Sequence, residues 1–509
     1  MSTNSLFSGY HIIYLMHEII KRFSQRALRF ALIILVFFIG WTAASAESGW
    51  QRVADGVEYR PFTLSGPVRA FVARMALDQE DVILEAGLAN GTVREGHETV
   101  SGIAARYEQT LNAWGGYWGN RNDVIVAING SYFDLESGIA DDGLIQSGWY
   151  AHLYNDLGGS TGLAWKRDRS MFVGSCAYHN DRVMNFTNLT TGRKHPIDKI
   201  NNEVREDQIM LLTPQFGPRS FGEGHTEVLI QMTEPAGLLP GSESAVGIVR
   251  EVHDGTGPFL IPFDHIVLSA RNASRGILRS QLHTGDVIAI ELGINHLDEN
   301  CNYPASESWD DTYTSVAGNW VFLREGDIQE IDERGADLRN PRSALCYNDS
   351  YLYFIVVDGR DDAYSVGMTI PELASFCDER LDADWGVNMD GGGSSTLWID
   401  GKVMNNPSDG HERGVANALM MVRVEPKETS DQFATGELVQ SRYPTNVLLG
   451  PGLNYPAFAS VDTAAQGTIM FHVNQLNGIY ATGTYWWQID FGGLTGWVDE
   501  ISLVNAESP

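Results

Sequence analysis

Lysine is scarce in this chain. Only 6 Lys accompany 29 Arg, and these 35 basic residues face 65 Asp+Glu, for a formal charge of −30. Nucleic acids and anionic membranes demand a basic footprint, so the balance excludes nucleic acid as a partner. A lysine-poor, acid-rich surface suits either life in salt, where screening relieves self-repulsion, or ordinary solubility. Cysteine is sparse as well, at Cys176, Cys301, Cys346 and Cys377. No CxxC or related spacing occurs, which argues against zinc. The Cys176/His179 neighbourhood carries no thiol-protease signature. EF-hand and HExxH patterns are missing too, and the His-Glu dipeptides at His17, His97 and His411 have no second His at i+4. No cofactor is required by the sequence, although the acidic turns are compatible with a structural divalent metal of unknown ligands. Internal repeats and long low-complexity tracts are also lacking. With 43% hydrophobic and 20% charged residues, the composition is that of a globular chain.

The apolar run Phe30–Trp41 follows the basic Lys21, Arg22, Arg26 and Arg29 and precedes Ala44-Ser45-Ala46. This order predicts a secretory signal peptide over 1–46, cleaved after Ala46. The run is shorter than the ~20 residues of a spanning helix. Export, to periplasm, cell surface or medium, makes the cysteines candidates for disulfides. Three pairings are open. Cys346 on a predicted strand and Cys377 on the helix predicted to follow favour 346–377, and with it 176–301.

From Trp50 to about Glu425 the chain reads as dense β structure with few helices. Apolar or β-branched runs such as 82–84, 124–128, 228–230, 287–292, 320–323, 351–357, 397–399 and 418–424 are punctuated by Gly, Asn and Asp. Thr369-Ile-Pro-Glu372 is a capping box, followed by Leu373, Phe376, Cys377 and Leu381 at helical spacing. A second helix is predicted over about 99–108. Residues 426–437 are polar and read as a linker. The expected fold class is α+β: a strand-rich mixed-sheet domain over 47–425 and a small all-β domain over 438–509. Within the larger domain, 47–120 forms a strand-rich opening and 120–425 bears the motifs.

The strongest chemical signal is Asn388-Met-Asp390-Gly391-Gly392-Gly393-Ser394-Ser395, set between two strands. Glycines let backbone take positive φ and approach a ligand, and successive N–H groups in such a turn can cradle an anion. Asp390 beside them can serve as base or nucleophile. Pro341-Arg342-Ser343-Ala-Leu precedes a buried strand, and Arg342 offers a planar donor fork suited to phosphate. Asn129-Gly130-Ser-Tyr-Phe ends another buried strand. Asp358-Gly359 and Pro407-Ser-Asp409 with Arg413 are further polar turns.

Taken in order, these motifs resemble the phosphodiester glycosidase family, over about residues 120–425. Ser365-Val-Gly-Met with its capped helix, and Gly318 with Trp320–Leu323, belong to the same resemblance. Two departures occur: Ser131-Tyr132 stands where Gly or Ala and Phe are usual, and Leu345-Cys346 where Ile-Gly is usual. The resemblance implies a hydrolase that cleaves a sugar-1-phosphodiester on the sugar side, releasing a free sugar, in that family typically N-acetylglucosamine, and a phosphomonoester. It implies Asp390, Arg342 and Asp358 as catalytic residues. Asn129, Gly130, Asn388, Gly391, Gly392, Gly393, Ser394, Ser395, Ser343, Asp409 and Arg413 are implied in substrate binding. An oxocarbenium-like transition state wants a carboxylate, and a departing phosphate wants cations and N–H donors. The alternative is a non-catalytic protein that binds cell-envelope glycans through the same pocket.

The last segment, with Gly450-Pro-Gly-Leu-Asn-Tyr-Pro456, Tyr485-Trp-Trp and Gly496-Trp-Val498, resembles a bacterial SH3-like domain. Leu448-Leu449-Gly450 departs from the usual polar Arg-Ser-Gly. The resemblance implies a small barrel in contact with cell wall.

Overall fold

Strands buried along most of their length, not helices, organise this protein. The computed structural model describes residues 49–94, 96–154, 160–179, 184–233, 245–296 and 307–506. The predicted signal peptide and Cys301 lie outside them. Residues 52–509 form one compact unit. Its strands pair antiparallel, save one short parallel pair between Lys199–Ile200 and Ile209–Leu212. The strand-rich mixed-sheet architecture with few helices is as expected.

A large sheet runs in spatial order through Val57–Leu64, Val68–Ala76, Tyr351–Val357, Arg342–Tyr347, Trp385–Asn388, Thr312–Arg324, Ser160–Lys166 and Met171–His179. A smaller sheet runs through Leu397–Ile399, Asn120–Asn129, Asn417–Glu425 and Val82–Leu88. Val82–Leu88 is buried at every position, so its near-continuous apolar run is covered on both faces. Two further sheets follow. One spans 185–291 and was not anticipated from the sequence as a separate layer; the other spans 438–505.

The capped helix is present as Ile370–Leu381. The Thr369 side chain accepts from the Glu372 N–H and the Glu372 carboxylate accepts from the Thr369 N–H, the reciprocal pair of a capping box. Leu373, Phe376, Cys377 and Leu381 are buried on one face. Cys377 forms a disulfide with Cys346 on the strand Arg342–Tyr347, as the sequence favoured. The second helix, Val100–Tyr107, starts from Thr99, whose side chain accepts from the Gly102 N–H.

The C-terminal sheet differs from the expected self-standing barrel. Val439, Val447, Ile469, Trp487, Ile489 and Val498 form a core of their own. Leu448, Leu476, Ile479, Trp486 and Trp497, however, join the main core. A sheet that buries both faces in this way is not set apart as an independent unit. Residues 426–437 form no helix or strand, yet they are tied down: Glu428 pairs with Arg121 at 3.2 Å and accepts from the Tyr485 hydroxyl at 2.5 Å.

Candidate active site

Register brings the motifs together. Arg342 pairs with Val357, placing the start of one strand beside the end of the next. Asn388 ends a third strand and pairs with Ala344 and Asn319. In the smaller sheet, Asn129 ends a strand opposite Ala418, and Leu397 opens one opposite Ile128. Asp358, Asp390, Asn129 and Arg342 therefore emerge at neighbouring strand ends, although they are scattered over more than 250 positions.

Asp390 sits where the two sheets meet. Its N–H donates to the Gly130 carbonyl at 3.1 Å, and its own carbonyl accepts from Asn129 Nδ2 at 2.6 Å. Burial pushes its carboxyl up to about 6, against the pull of the Ser394 hydroxyl, the Arg413 guanidinium and the Gly391 N–H; Asp141 pushes it further up. A part-buried acid poised near neutrality in a polar turn is what a catalytic carboxylate requires.

The glycine turn folds back on itself. The Gly392 N–H donates to the Pro341 carbonyl at 2.9 Å, and the Ser394 and Ser395 N–H groups donate to Gly391 and Gly392 at 3.3 Å. The expected row of free N–H donors is thus largely consumed within the turn. Guanidinium groups close on it instead. Gly392 has φ +63°, and a Cβ there would lie 2.8 Å from Arg360 Nη2. A Cβ at Gly393 would collide with the Arg413 guanidinium and the Asp409 carboxylate. Only glycine permits this approach. Arg413 is held by Asp409 through Nη2 at 2.7 Å and Nε at 3.0 Å. Arg360 is exposed and makes no hydrogen bond or ion pair among the described residues.

Several predicted contact residues turn out to be supports. Asn129 is 1% exposed. Its Oδ1 accepts from the Ser343 hydroxyl at 2.7 Å and the Thr396 N–H at 3.1 Å. Both ends of its amide, and Ser343 with it, are spent on the protein. Arg342 is buried, with Nε on the Met368 carbonyl at 3.0 Å and Nη2 on the Gly335 and Leu338 carbonyls at 3.0 and 2.7 Å. It is chiefly a clamp on three backbone carbonyls, which leaves Nη1 without a hydrogen-bond partner among the described residues. Asp358 accepts from Asn405 Nδ2 and the Asn406 N–H at 3.1 Å each. Burial pushes its carboxyl up to about 6. Through Asn405, which donates to the Ser395 carbonyl at 2.9 Å, it fixes the turn from behind.

Other residues face the site without having been singled out. Tyr132 accepts from Asn388 Nδ2 at 2.9 Å. Burial and the Asp390 charge both push its hydroxyl up, while Arg342 pulls the other way. Tyr132 thus feels the charge of both Asp390 and Arg342. Arg360 follows Asp358-Gly359 directly in the sequence, but nothing in that tripeptide distinguishes it from any exposed arginine. Finally, Asn388 Oδ1 and the hydroxyls of Ser394, Ser395, Thr396 and Ser408 are buried without a hydrogen bond of good geometry. Such groups are uncommon in folded proteins and here they gather around one turn.

Comparison with known proteins gives this turn its context. Residues 245–422 match the phosphodiester glycosidase family model. The matched segment holds Arg342, Asp358, Asp390 and Arg413 but not Asn129, which the fold alone adds. The phage-derived uncharacterized protein YomE of Bacillus subtilis (strain 168) is 39% identical over 88 residues, 16% of this chain and 13% of that protein. A hypothetical protein from Synechocystis has a similar fold, with a TM-score of 0.50 at 15% identity over 74% of this chain and 63% of that one. The catalytic domain of zebrafish N-acetylglucosamine-1-phosphodiester α-N-acetylglucosaminidase, auto-inhibited by its pro-peptide, aligns with a TM-score of 0.32 at 14% identity over 74% and 84% of the two chains. The phosphodiester glycosidase resemblance is thus carried by residues 245–422, and the Synechocystis likeness is one of fold alone.

Proposed function

We propose that this chain is an exported hydrolase that cleaves a sugar-1-phosphodiester between the anomeric carbon and the phosphate oxygen. The products are a free sugar, of the N-acetylglucosamine kind, and a phosphomonoester. The observation that carries the reading is Asp390 at the foot of a glycine turn on which two guanidinium groups, those of Arg360 and Arg413, converge. As the bond to phosphate breaks, positive charge grows on the sugar ring. Asp390, ionised above its pKa of about 6, meets that charge as nucleophile or ion partner. The phosphate leaves with little need of a proton, and Arg360 and Arg413 hold its negative charge. Asn129, Ser343, Asp358 and Asn405 keep the turn in place. The orphaned Ser408, Ser394 and Asn388 oxygens suit a hydroxyl-rich ligand.

Incubation with a nucleotide sugar and with a sugar-1-phosphodiester tests the reading. Free sugar plus phosphomonoester supports it; sugar-1-phosphate would place cleavage on the wrong side of the oxygen. The competing reading, a non-catalytic envelope-glycan binder, draws on the departures at Ser131-Tyr132 and Leu345-Cys346 and on the SH3-like sequence of the C-terminal segment. An absence of turnover in both the wild type and Asp390→Asn would favour it. The C-terminal sheet, with its SH3-like sequence, is proposed to bring the chain to the cell wall.

A further inference from the structure

A second cavity, of about 590 Å³, lies away from Asp390. This is within the ~300–1,000 Å³ range of small-molecule sites. Four parts of the fold build it: the strap around residues 90–94, residues of the 106–122 and 146–149 stretches, the 214–220 and 261–263 segments of the sheet spanning 185–291 (the inserted sheet), and the 449–456 turn of the C-terminal sheet. These parts are fastened together around it. The Val93 N–H donates to the Gln215 carbonyl at 2.9 Å, and the Phe263 N–H donates to the Leu449 carbonyl at 3.1 Å. The cavity is therefore a fixed feature of the fold.

Its lining has a distinct chemistry. Trp118, Trp149, Tyr107 and Tyr455 supply aromatic walls. Trp118 is locked edge-to-face on Phe263 at 5.6 Å, and Phe263 lies 5.6 Å from Tyr455. Asn122, Gln146 and Gln215 place amides among them. Asn454 Oδ1 is buried with no partner among the described residues. Two exposed guanidiniums belong to the lining, Arg94 and Arg219. Arg94 lies 4.7 Å over the Phe216 ring. Neither forms an ion pair among the described residues, whereas Arg106, also on the wall, is neutralised by Glu98 at 2.8 Å. In a chain with 65 acidic and 35 basic residues, these two arginines give the cavity mouth a local positive charge.

We infer that this cavity binds an acidic oligosaccharide. Sugar rings offer C–H faces to indole and phenol rings, their hydroxyls can donate to the unpartnered Asn454 oxygen, and planar guanidinium groups pair with carboxylate or phosphate in two-point geometry. The Asn122, Gln146 and Gln215 amides are bonded within the protein, so a purely apolar ligand would leave the Asn454 oxygen unpaired, and a neutral glycan would leave the arginines unused. The inference does not depend on Asp390 being catalytic.

The test titrates the full chain, by calorimetry and tryptophan fluorescence, with three probes: a hyaluronan tetrasaccharide, a phosphorylated chitotetraose and unmodified chitotetraose. Arg94→Ala/Arg219→Ala and Asn454→Ala are the variants, and both positions lie on the surface or in a turn. Either acidic probe should bind at least tenfold tighter than the neutral one, and which of the two does so identifies the acid group. The double arginine variant should lose about tenfold in affinity for the acidic probe while keeping its melting temperature and any diester hydrolysis. Equal binding of acidic and neutral probes would overturn the inference, as would an unchanged affinity in the double variant. Loss of binding in Arg360→Ala would overturn it too, by assigning the ligand to the first site. Asn454→Ala, which removes no charge, should weaken all the saccharides that bind.

Discussion

The side-chain amide of Asn129 donates to the backbone carbonyl of Asp390 at 2.6 Å, across 261 residues of sequence. One buried side chain thus joins the smaller sheet to the turn that carries the acid. Asn129→Ala would leave the Asp390 carbonyl, the Ser343 hydroxyl and the Thr396 N–H without partners. Each orphaned buried group costs about 1–3 kcal/mol. A loss of about 3 kcal/mol in denaturant unfolding is expected, with kcat falling and KM changing little, because the acid is displaced while the phosphate contacts stay.

Asp390 should trade stability for activity. Its folded-state pKa of about 6 lies above the unfolded value. The native state therefore holds this proton to higher pH than the unfolded chain does, and the group's contribution to stability falls as pH rises from about 4 through 6. Asp390→Asn escapes that penalty. At pH 7 it should be more stable by the order of 1–3 kcal/mol and inactive. In the wild type, kcat/KM should rise with pH through a limb near 6, measured on a diester whose own ionisation lies well below that range.

The two guanidinium groups on the glycine turn should be separable. Arg360 has no protein partner, so Arg360→Ala should leave the melting temperature unchanged and lower kcat/KM roughly tenfold to a hundredfold. Arg413 also pulls the Asp390 pKa down. Arg413→Ala should therefore shift the acidic limb of the pH profile upward as well as slow turnover. If the limb stayed where it is, Arg413 would not be sensed by Asp390.

The C-terminal sheet meets the sheet spanning 185–291 at a buried Asp–His cluster. Asp264, 2% exposed, meets His265 Nδ1 at 2.7 Å and His472 Nε2 at 3.3 Å. Burial pushes the Asp264 carboxyl up, but the two histidines outweigh it and hold the group well below the usual carboxylate range. A depressed acid contributes stability above its unfolded pKa and loses it as pH falls, here from about pH 4 downward. Asp264→Asn should cost about 3–5 kcal/mol at neutral pH. Limited proteolysis should then cut within 426–437, the segment without regular structure.

Local features could be read from the chain. The Thr369 capping box needs only residues four apart, and the strand runs declare themselves through β-branched and apolar content. The glycine turn was visible because three consecutive glycines after an acid have few structural uses. Asn129, read as a substrate contact, and Arg342, read as catalytic, each hold protein hydrogen bonds that their motifs did not announce. Their hydrogen-bond partners lie in other strands and turns, and a buried, satisfied amide has the same sequence signature as an exposed, ligand-seeking one. Arg360 was overlooked for the converse reason: its importance rests on the absence of a partner and on a glycine Cα that lets it draw near. The sequence by itself determined many of the strands, the capped helix and the acid on its glycine turn, and favoured the Cys346–Cys377 pairing among three, since each is written in residues close together or in composition. Tertiary structure alone decided which polar side chains are spent on the fold and which remain for a ligand. Hydrogen-bond satisfaction and desolvation depend on neighbours that strand register supplies from hundreds of positions away.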